Sequence, residues 1–392
     1  MNSFLNQSIK YFPKIKALRH AIHEEPELGF EEFKTAAKVM SFLDSIQVPY
    51  VSAIAKTGII ATIKGKYPGK IVLLRADMDA LALQEDPNHE LKSKISGKMH
   101  ACGHDGHTAG LCLAAALLNE VKDEMHGEVR LMFQPAEETL GGAKPMIEAG
   151  VCEGVEMAFG AHLWGALEEN HIQVKVGAMM AAPDEFKIVV KGKGGHGAMP
   201  HKCVDPIVIA SAIILNAQSI ISRNINPLDQ VVLSFGQISG GTAFNVIPNE
   251  VVLIGTIRTL SEEVRSFMPQ RLEAIAQGIA QAYGGDVEFL YESKYPVLIN
   301  DENTVHHSAR AFKKIVGENN VHYLDEPNMG GEDFAFISQI VPSSFIYVGI
   351  KKGKDIIHHH PSFAWEDENM IPLGCGLAQC AFDALTDCEQ SY

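Results

Sequence analysis

Apolar runs and amphipathic stretches alternate along the first part of this chain. Residues 8–46 read as a helix, a turn at EEPELGF, and a second helix. GIIATIKG (58–65) and GKIVLLRADMDA (69–80) follow as strands. The second carries a continuous apolar run, as a sheet strand covered on both faces does. A helix is predicted at about 106–121, then a strand in GEVRLMFQPAEE (127–138), a helix at about 142–149 and a strand in MAFGAHLWG (157–165). Strands alternating with helices predict an α/β domain with a mostly parallel sheet.

The pattern changes near Pro183. EFKIVVKGKGG reads as strand, 205–223 as helix, and QVVLSFGQISGG and EVVLIGTIRTL as two strands. SEEVRSFMPQRLEAIAQGIAQAYG reads as helix despite Pro269, and DVEFLYESKYP as strand. That order, βαββαβ, is the split arrangement of a small two-layer ferredoxin-like domain. After about Asn300 the α/β character returns, with helices near 303–317 and 332–340, a strand in SSFIYVGI and a last helix from about Glu366. The economical organisation is one discontinuous α/β domain, residues 1–182 and 297–392, interrupted by an inserted domain, 183–296.

Composition narrows the function. A chain of 392 residues is long for one core, and 46% hydrophobic with 21% charged residues describes a folded soluble protein. A net charge of −15 argues against nucleic acid as a partner. The seven cysteines are odd in number and scattered, which suits reduced thiols rather than a disulfide framework. The first twenty residues lack the apolar core of a signal peptide. PIVIASAIILNAQSII (206–221) is under spanning length and carries Asn216 and Gln218, so it reads as a buried helix face and not as a membrane segment. The expected compartment is the cytoplasm.

Four segments carry candidate chemistry. KMHACGHDGHTAG (98–110) gathers Cys102 and His104 with His100, Asp105 and His107 in a glycine-containing loop before a helix. Thiolate and imidazole are good ligands for zinc or a similar ion, although a polar turn explains Cys-x-His about as well. FQPAEET places Glu137 and Glu138 at the end of an apolar strand, where α/β sheets bind ligands. Adjacent side chains on extended backbone point opposite ways, so one carboxylate would hold a metal and the other reach a water. His162 in FGAHLWG and the run His358, His359, His360 in IIHHHPSFAWED complete the set. Each alone is more often an ordinary core or surface group; together they supply the donors of a hydrolytic metal site.

These segments, with RADMDALALQED, GKGGHGAMPHKCVDPI, GGTAFNVIPNEVVLIGTIRT and GGEDFAFI, occur in the order seen in the aminoacylase/glutamate-carboxypeptidase-like metallopeptidases. The chain resembles most the amidohydrolase branch containing hippurate hydrolase, N-acyl-amino-acid amidohydrolases and auxin-conjugate hydrolases. The resemblance implies a metal-binding catalytic domain and an inserted lid or dimerisation domain. It implies one or two divalent ions per subunit (zinc, manganese, cobalt or nickel), held by Cys102, His104, Glu138, His162 and a C-terminal histidine. The family's His-x-Pro frame, met by Pro361 and Phe363, selects His359, with His358 and His360 as the alternative registers. Glu137 becomes the general base and Asp79 a supporting residue, while Asp77 is not expected to be a ligand. His196 becomes a second catalytic group reaching a neighbouring subunit of a homodimer or higher oligomer. Asn245 and Arg258 become substrate-binding candidates, Arg258 through paired hydrogen bonds to a carboxylate. Glu332 and Asp333 would order the site from behind or simply begin a helix. The implied activity is hydrolysis of N-acyl-L-amino acids. A dipeptidase or carboxypeptidase of the same family, or a non-catalytic binding relative, are the alternatives.

Overall fold

The computed structural model describes residues 3–139 and 141–386. Its contacts divide the chain into two compact units, one of residues up to 179 with 299–326 and 333 onward, the other of residues 180–298 with 327–332.

The first unit is built on an eight-stranded mixed sheet. Its strands are β1 (Tyr50–Ile54), β2 (Gly58–Lys64), β3 (Tyr67–Asp77), β4 (His126–Gln134), β5 (Val155–Glu168), β6 (Ile172–Val174), β15 (Val321–Tyr323) and β16 (Ser343–Lys351). They lie in the order β1-β2-β4-β3-β5-β16-β6-β15. The centre, β4-β3-β5-β16, is parallel, and antiparallel pairs flank it on both sides. The central strands are apolar because both faces are covered: every residue of β16 from Ser343 to Ile350 is buried. The helices of this unit are α1 (Ser3–Glu24), α2 (Phe33–Ser45), α3 (His104–Glu120), α4 (Ala143–Glu148), α7 (Glu302–Val316), α8 (Ala335–Ser338) and α9 (Met370–Thr386).

Helix α3 runs through the middle of the unit, with residues 104–118 all buried. From Ala109 to Leu118 it is apolar all round, as a fully enclosed helix segment must be. α1 and α9 pack on it. Gly110 is where α9 comes close: a Cβ there would fall 2.0 Å from Leu373 Cδ2. The helix expected at 332–340 contracts to the single turn of α8, and the last helix begins at Met370 after a 3₁₀ turn at Asp367–Asn369.

The second unit carries β8 (Ala182–Lys191), β9 (Gly195–His196), β10 (Val231–Ser239), β11 (Val246–Ile247), β12 (Glu250–Thr259) and β13 (Asp286–Glu292), with helices α5 (Pro206–Arg223) and α6 (Glu262–Ala282). The short strands β7 (Gly177–Met180) and β14 (Leu298–Asn300) fall where the sequence passes from one unit to the other. The main sheet is antiparallel, in the order β10-β12-β8-β13. With β8, β10, β12 and β13 as first to fourth, this is the order of the split βαβ fold. β12 alternates buried and half-exposed positions along its length, as a sheet with one covered face requires. Met268, Leu272, Ala276 and Ala280, four apart on α6, join Ile209, Ile213 and Ile220 of α5 in that core. Asp205 and Ser261 cap the two helices through Ile207 N and Val264 N. α6 continues through Pro269. α5 is the one described helix long and apolar enough to cross a membrane by length and composition, and a third of it is buried in the fold.

Candidate metal centre

The site grows from the carboxyl ends of the parallel strands, where α/β sheets place ligands. β3 ends on Asp77 opposite Gln134, the last residue of β4. Arg75 of β3 pairs with Gly160 of β5, so His162, two residues on, stands level with Asp77. The 98–103 loop then delivers Cys102, and Gly103, at φ +92°, turns the chain into α3 so that His104 opens the helix.

Glu137 and Glu138 do not extend a strand, as the sequence suggested. β4 stops at Gln134, because Pro135 has no N–H for the ladder and Ala136 takes a left-handed φ of +54°. The turn is held by side chains. Glu32 accepts from Ala136 N at 2.8 Å, and the two oxygens of Asp79 accept from Glu137 N and Glu138 N, each at 3.0 Å. Both glutamates therefore face the same way. Their carboxylates and a His104 ring nitrogen lie within 4.8 Å of one another.

Three buried histidines are fixed by hydrogen bonds at their far nitrogens. His104 Nδ1 donates to the Asp79 carbonyl at 2.9 Å, leaving Nε2 turned toward Glu138 Oε1 at 3.8 Å. His162 Nδ1 donates to Leu163 O at 2.7 Å, leaving Nε2 3.4 Å from Cys102 Sγ. His107 is committed at both ends, Nδ1 to Asp77 Oδ1 at 2.6 Å and Nε2 to Leu163 N at 2.9 Å, so it braces the site. Asp77 is likewise occupied: His107 takes one oxygen and Arg75 Nη1, at 2.7 Å, the other. Arg75 also reaches Asp333 at 2.8 Å and Gln134 at 2.8 Å. Orientation of a ligating imidazole by a partner at its other nitrogen is the usual support of a metal site.

His359, at φ +56°, places Nε2 3.2 Å from Glu138 Oε1. Cys102, Glu138 and His359 form one group of donors within 4.8 Å of one another, and Cys102, His104 and His162 another. Cys102 belongs to both, the placement a shared ligand needs. The donor set fits a divalent ion: sulfur, imidazole and carboxylate together, with His104 Nε2 buried and lacking any hydrogen-bond partner.

The electrostatics ask for a cation. Burial pulls His104 down, but the charges of Asp77, Asp79 and Glu138 outweigh it and raise it to about 10. Burial, then the charges of Glu138, Glu137 and Asp77, push the Cys102 thiol well up. Burial works to raise Asp77, yet His104, Arg75 and His107 hold it well below the usual carboxylate range. His162 and His358 are pushed down by burial and by neighbouring imidazoles, His358 to about 3.

The remaining sequence candidates belong to the second unit. His196 is exposed on β9 opposite Val246, and its Nδ1 accepts from Ala198 N at 3.1 Å. Asn245 is next to it, its carbonyl accepting from Gly197 N at 2.8 Å. Arg258 sits near the other end of β12 and bonds to Thr256 Oγ1 and Met329 O. Sequence reasoning gave no role to Arg75, Gln134 or Glu32; a lone arginine inside the apolar run of β3 was the available signal.

Among known proteins, the chain is 45% identical to an N-acyl-L-amino acid amidohydrolase of Geobacillus stearothermophilus, over 76% of this chain and 81% of that one. It is 40% identical to thermostable carboxypeptidase 2 of Saccharolobus solfataricus, over 91% of each. A solved Bacillus subtilis structure, described as a dinuclear metal binding peptidase of the M20 family, superposes with a TM-score of 0.83 at 35% identity, covering 96% of this chain and 99% of that one. The pattern of peptidase family M20/M25/M40 matches residues 73–379, and the chain belongs to that family of amide-bond hydrolases.

Proposed function

We propose that this chain is a metal-dependent amidohydrolase that releases the amino acid from N-acyl-L-amino acids such as acetyl or benzoyl conjugates. Cys102, His104, Glu138, His162 and His359 would hold one or two divalent ions of zinc, manganese, cobalt or nickel, with availability selecting among them. When bound, such an ion supplies Lewis acidity toward the amide carbonyl and a water acidic enough to lose a proton near neutral pH. Glu137 takes that proton and returns it to the leaving nitrogen. Asp79 acts through the backbone, keeping the base and its neighbouring ligand in register. On the inserted unit, which we read as lid and dimerisation domain, His196 would steady the oxyanion in the neighbouring subunit of a dimer. Arg258 and Asn245 would receive the substrate carboxylate. The six described cysteines are free, which supports a reducing, cytoplasmic setting.

The observation that carries this reading is the clamp of Glu137 N and Glu138 N on one Asp79 carboxylate, which sets a base beside a ligand. The test is Glu137→Gln. The variant should keep its metal content and lose activity by roughly 10²–10⁴-fold. Wild-type turnover in that variant removes Glu137 as the base. The relative named a carboxypeptidase favours a second reading, cleavage of peptides at a free C-terminus. A panel of N-acyl amino acids and short peptides, assayed with each metal, separates the two.

A further inference from the structure

The histidine run sets two neighbouring imidazoles against the same cluster in different roles. His359 offers Nε2 to the Glu138 side. The His358 ring is engaged at both nitrogens: Nε2 lies 2.9 Å from Gly165 N, and Nδ1 lies 3.8 Å from Cys102 Sγ. A backbone amide can only donate, so Nε2 must carry the lone pair. The ring proton is therefore on Nδ1, aimed at the sulfur, whatever the charge elsewhere in the site.

The ring has little freedom to choose otherwise. It packs among Trp164, Phe363 and His162, with centroids 5.1, 5.0 and 5.4 Å away. Gly165 is held against the same segment: Ile356 N donates to Gly165 O at 2.9 Å, and a Cβ on Gly165 would fall 1.9 Å from Ile356 O. The chain thus closes directly on the amide that fixes the tautomer. The other imidazole near the sulfur, His162, has spent its N–H on Leu163 O and turns a lone pair toward Cys102.

We propose that His358 is a positioning residue that donates Nδ1–H to the Cys102 thiolate and does not itself ligate. The inference rests on the reading of Cys102 as a ligand. The bond draws charge off a sulfur crowded by carboxylates. It would occupy one sulfur lone pair and leave the others available to an ion held with the His104/His162 or the Glu138/His359 donors. It also explains why two consecutive histidines need not compete for the same ion.

The test uses the full-length protein loaded with Co²⁺, read by the sulfur-to-cobalt charge-transfer absorption. Asn at 358 keeps an N–H close to the Nδ1 position; Gln reaches Gly165 but leaves the sulfur without its donor. His358→Gln should move the band to lower energy and weaken Co²⁺ binding by roughly 10–100-fold. His358→Asn should hold the band near its wild-type position and recover most of the affinity. A band present in the wild type but unmoved by His358→Gln, or moved equally by both variants, overturns the proposal while leaving Cys102 a ligand. Absence of the band in the wild type, or its persistence in Cys102→Ser, overturns the ligand reading and the proposal with it.

Discussion

His23 gives a stability prediction whose size follows from its surroundings. The ring lies buried between two carboxylates, Nδ1 2.9 Å from Asp105 Oδ2 and Nε2 3.1 Å from Glu85 Oε1. Burial works to lower its pKa, but hydrogen bonds and charge from Asp105 and Glu85 prevail and raise it from 6.5 to about 9. At roughly 1.4 kcal/mol per tenfold change in proton affinity, that rise is worth about 3 kcal/mol. The pKa is raised on folding, so this stability is fully present below pH 6.5 and disappears as pH climbs through about 9. His23→Gln removes the titration while keeping one N–H donor. The variant should be less stable than wild type near pH 6, and the gap should narrow by about 3 kcal/mol on going to pH 10. Both tryptophans of the chain, Trp164 and Trp365, lie in the unit that contains His23, and Arg19 stacks on Trp365 at 3.5 Å. Tryptophan fluorescence therefore follows the melting of that unit. At about 2 °C per kcal/mol, the difference in midpoints should close by roughly 6 °C across the window. Parallel midpoint curves from pH 6 to 10 would refute the argument.

The same electrostatic reasoning predicts that an ion entering the site displaces protons, since His104 is held protonated up to about 10 and the Cys102 thiol is pushed up. Calorimetric titration of the apoprotein with Zn²⁺ in buffers of different ionisation enthalpy should show proton release and affinity rising with pH; no buffer dependence would contradict it. Gly142→Ala should destabilise by about 1–3 kcal/mol and loosen metal binding, because its Cβ would fall 1.8 Å from Pro135 O beneath the Glu137–Glu138 turn. Thermal melts with and without added metal check both effects.

Much of the architecture is readable from periodicity. The unbroken apolar segment of β3 and the alternation in β12 announce a covered sheet and a half-covered one. The short outer strands β1, β6 and β15, of which β1 and β15 are the edges, are not readable, because β1 is largely exposed and the others span three residues each. Cys102, His104, Glu138, His162 and His359 are each ordinary alone; in the sequence it is their combination, in four segments near the ends of predicted elements, that marks them. Their supports carry no such mark: Gln134 and Glu32 look like ordinary polar residues until the chain folds back over a hundred positions, as Glu32 does to reach Ala136. The orientation of the two glutamates depends on the left-handed Ala136, which no apolar pattern encodes. The frame that ends in Pro361 and Phe363 sets His359 apart from His358, but what His358 does instead is not legible in the sequence; that takes the hydrogen bond to Gly165.

The discontinuity of the first unit also dictates when the centre can be completed in a growing chain. Every donor proposed here except His359 has been made by position 162, and the 197 positions from His162 to His359 include the whole inserted unit. At roughly 5–20 residues per second, translation leaves the half-built cluster waiting on the order of 10–40 s. During that interval β16, the partner of β5, and α9, which packs on α3, are unmade as well, so the donors between 102 and 162 wait for their framework as much as for the last histidine.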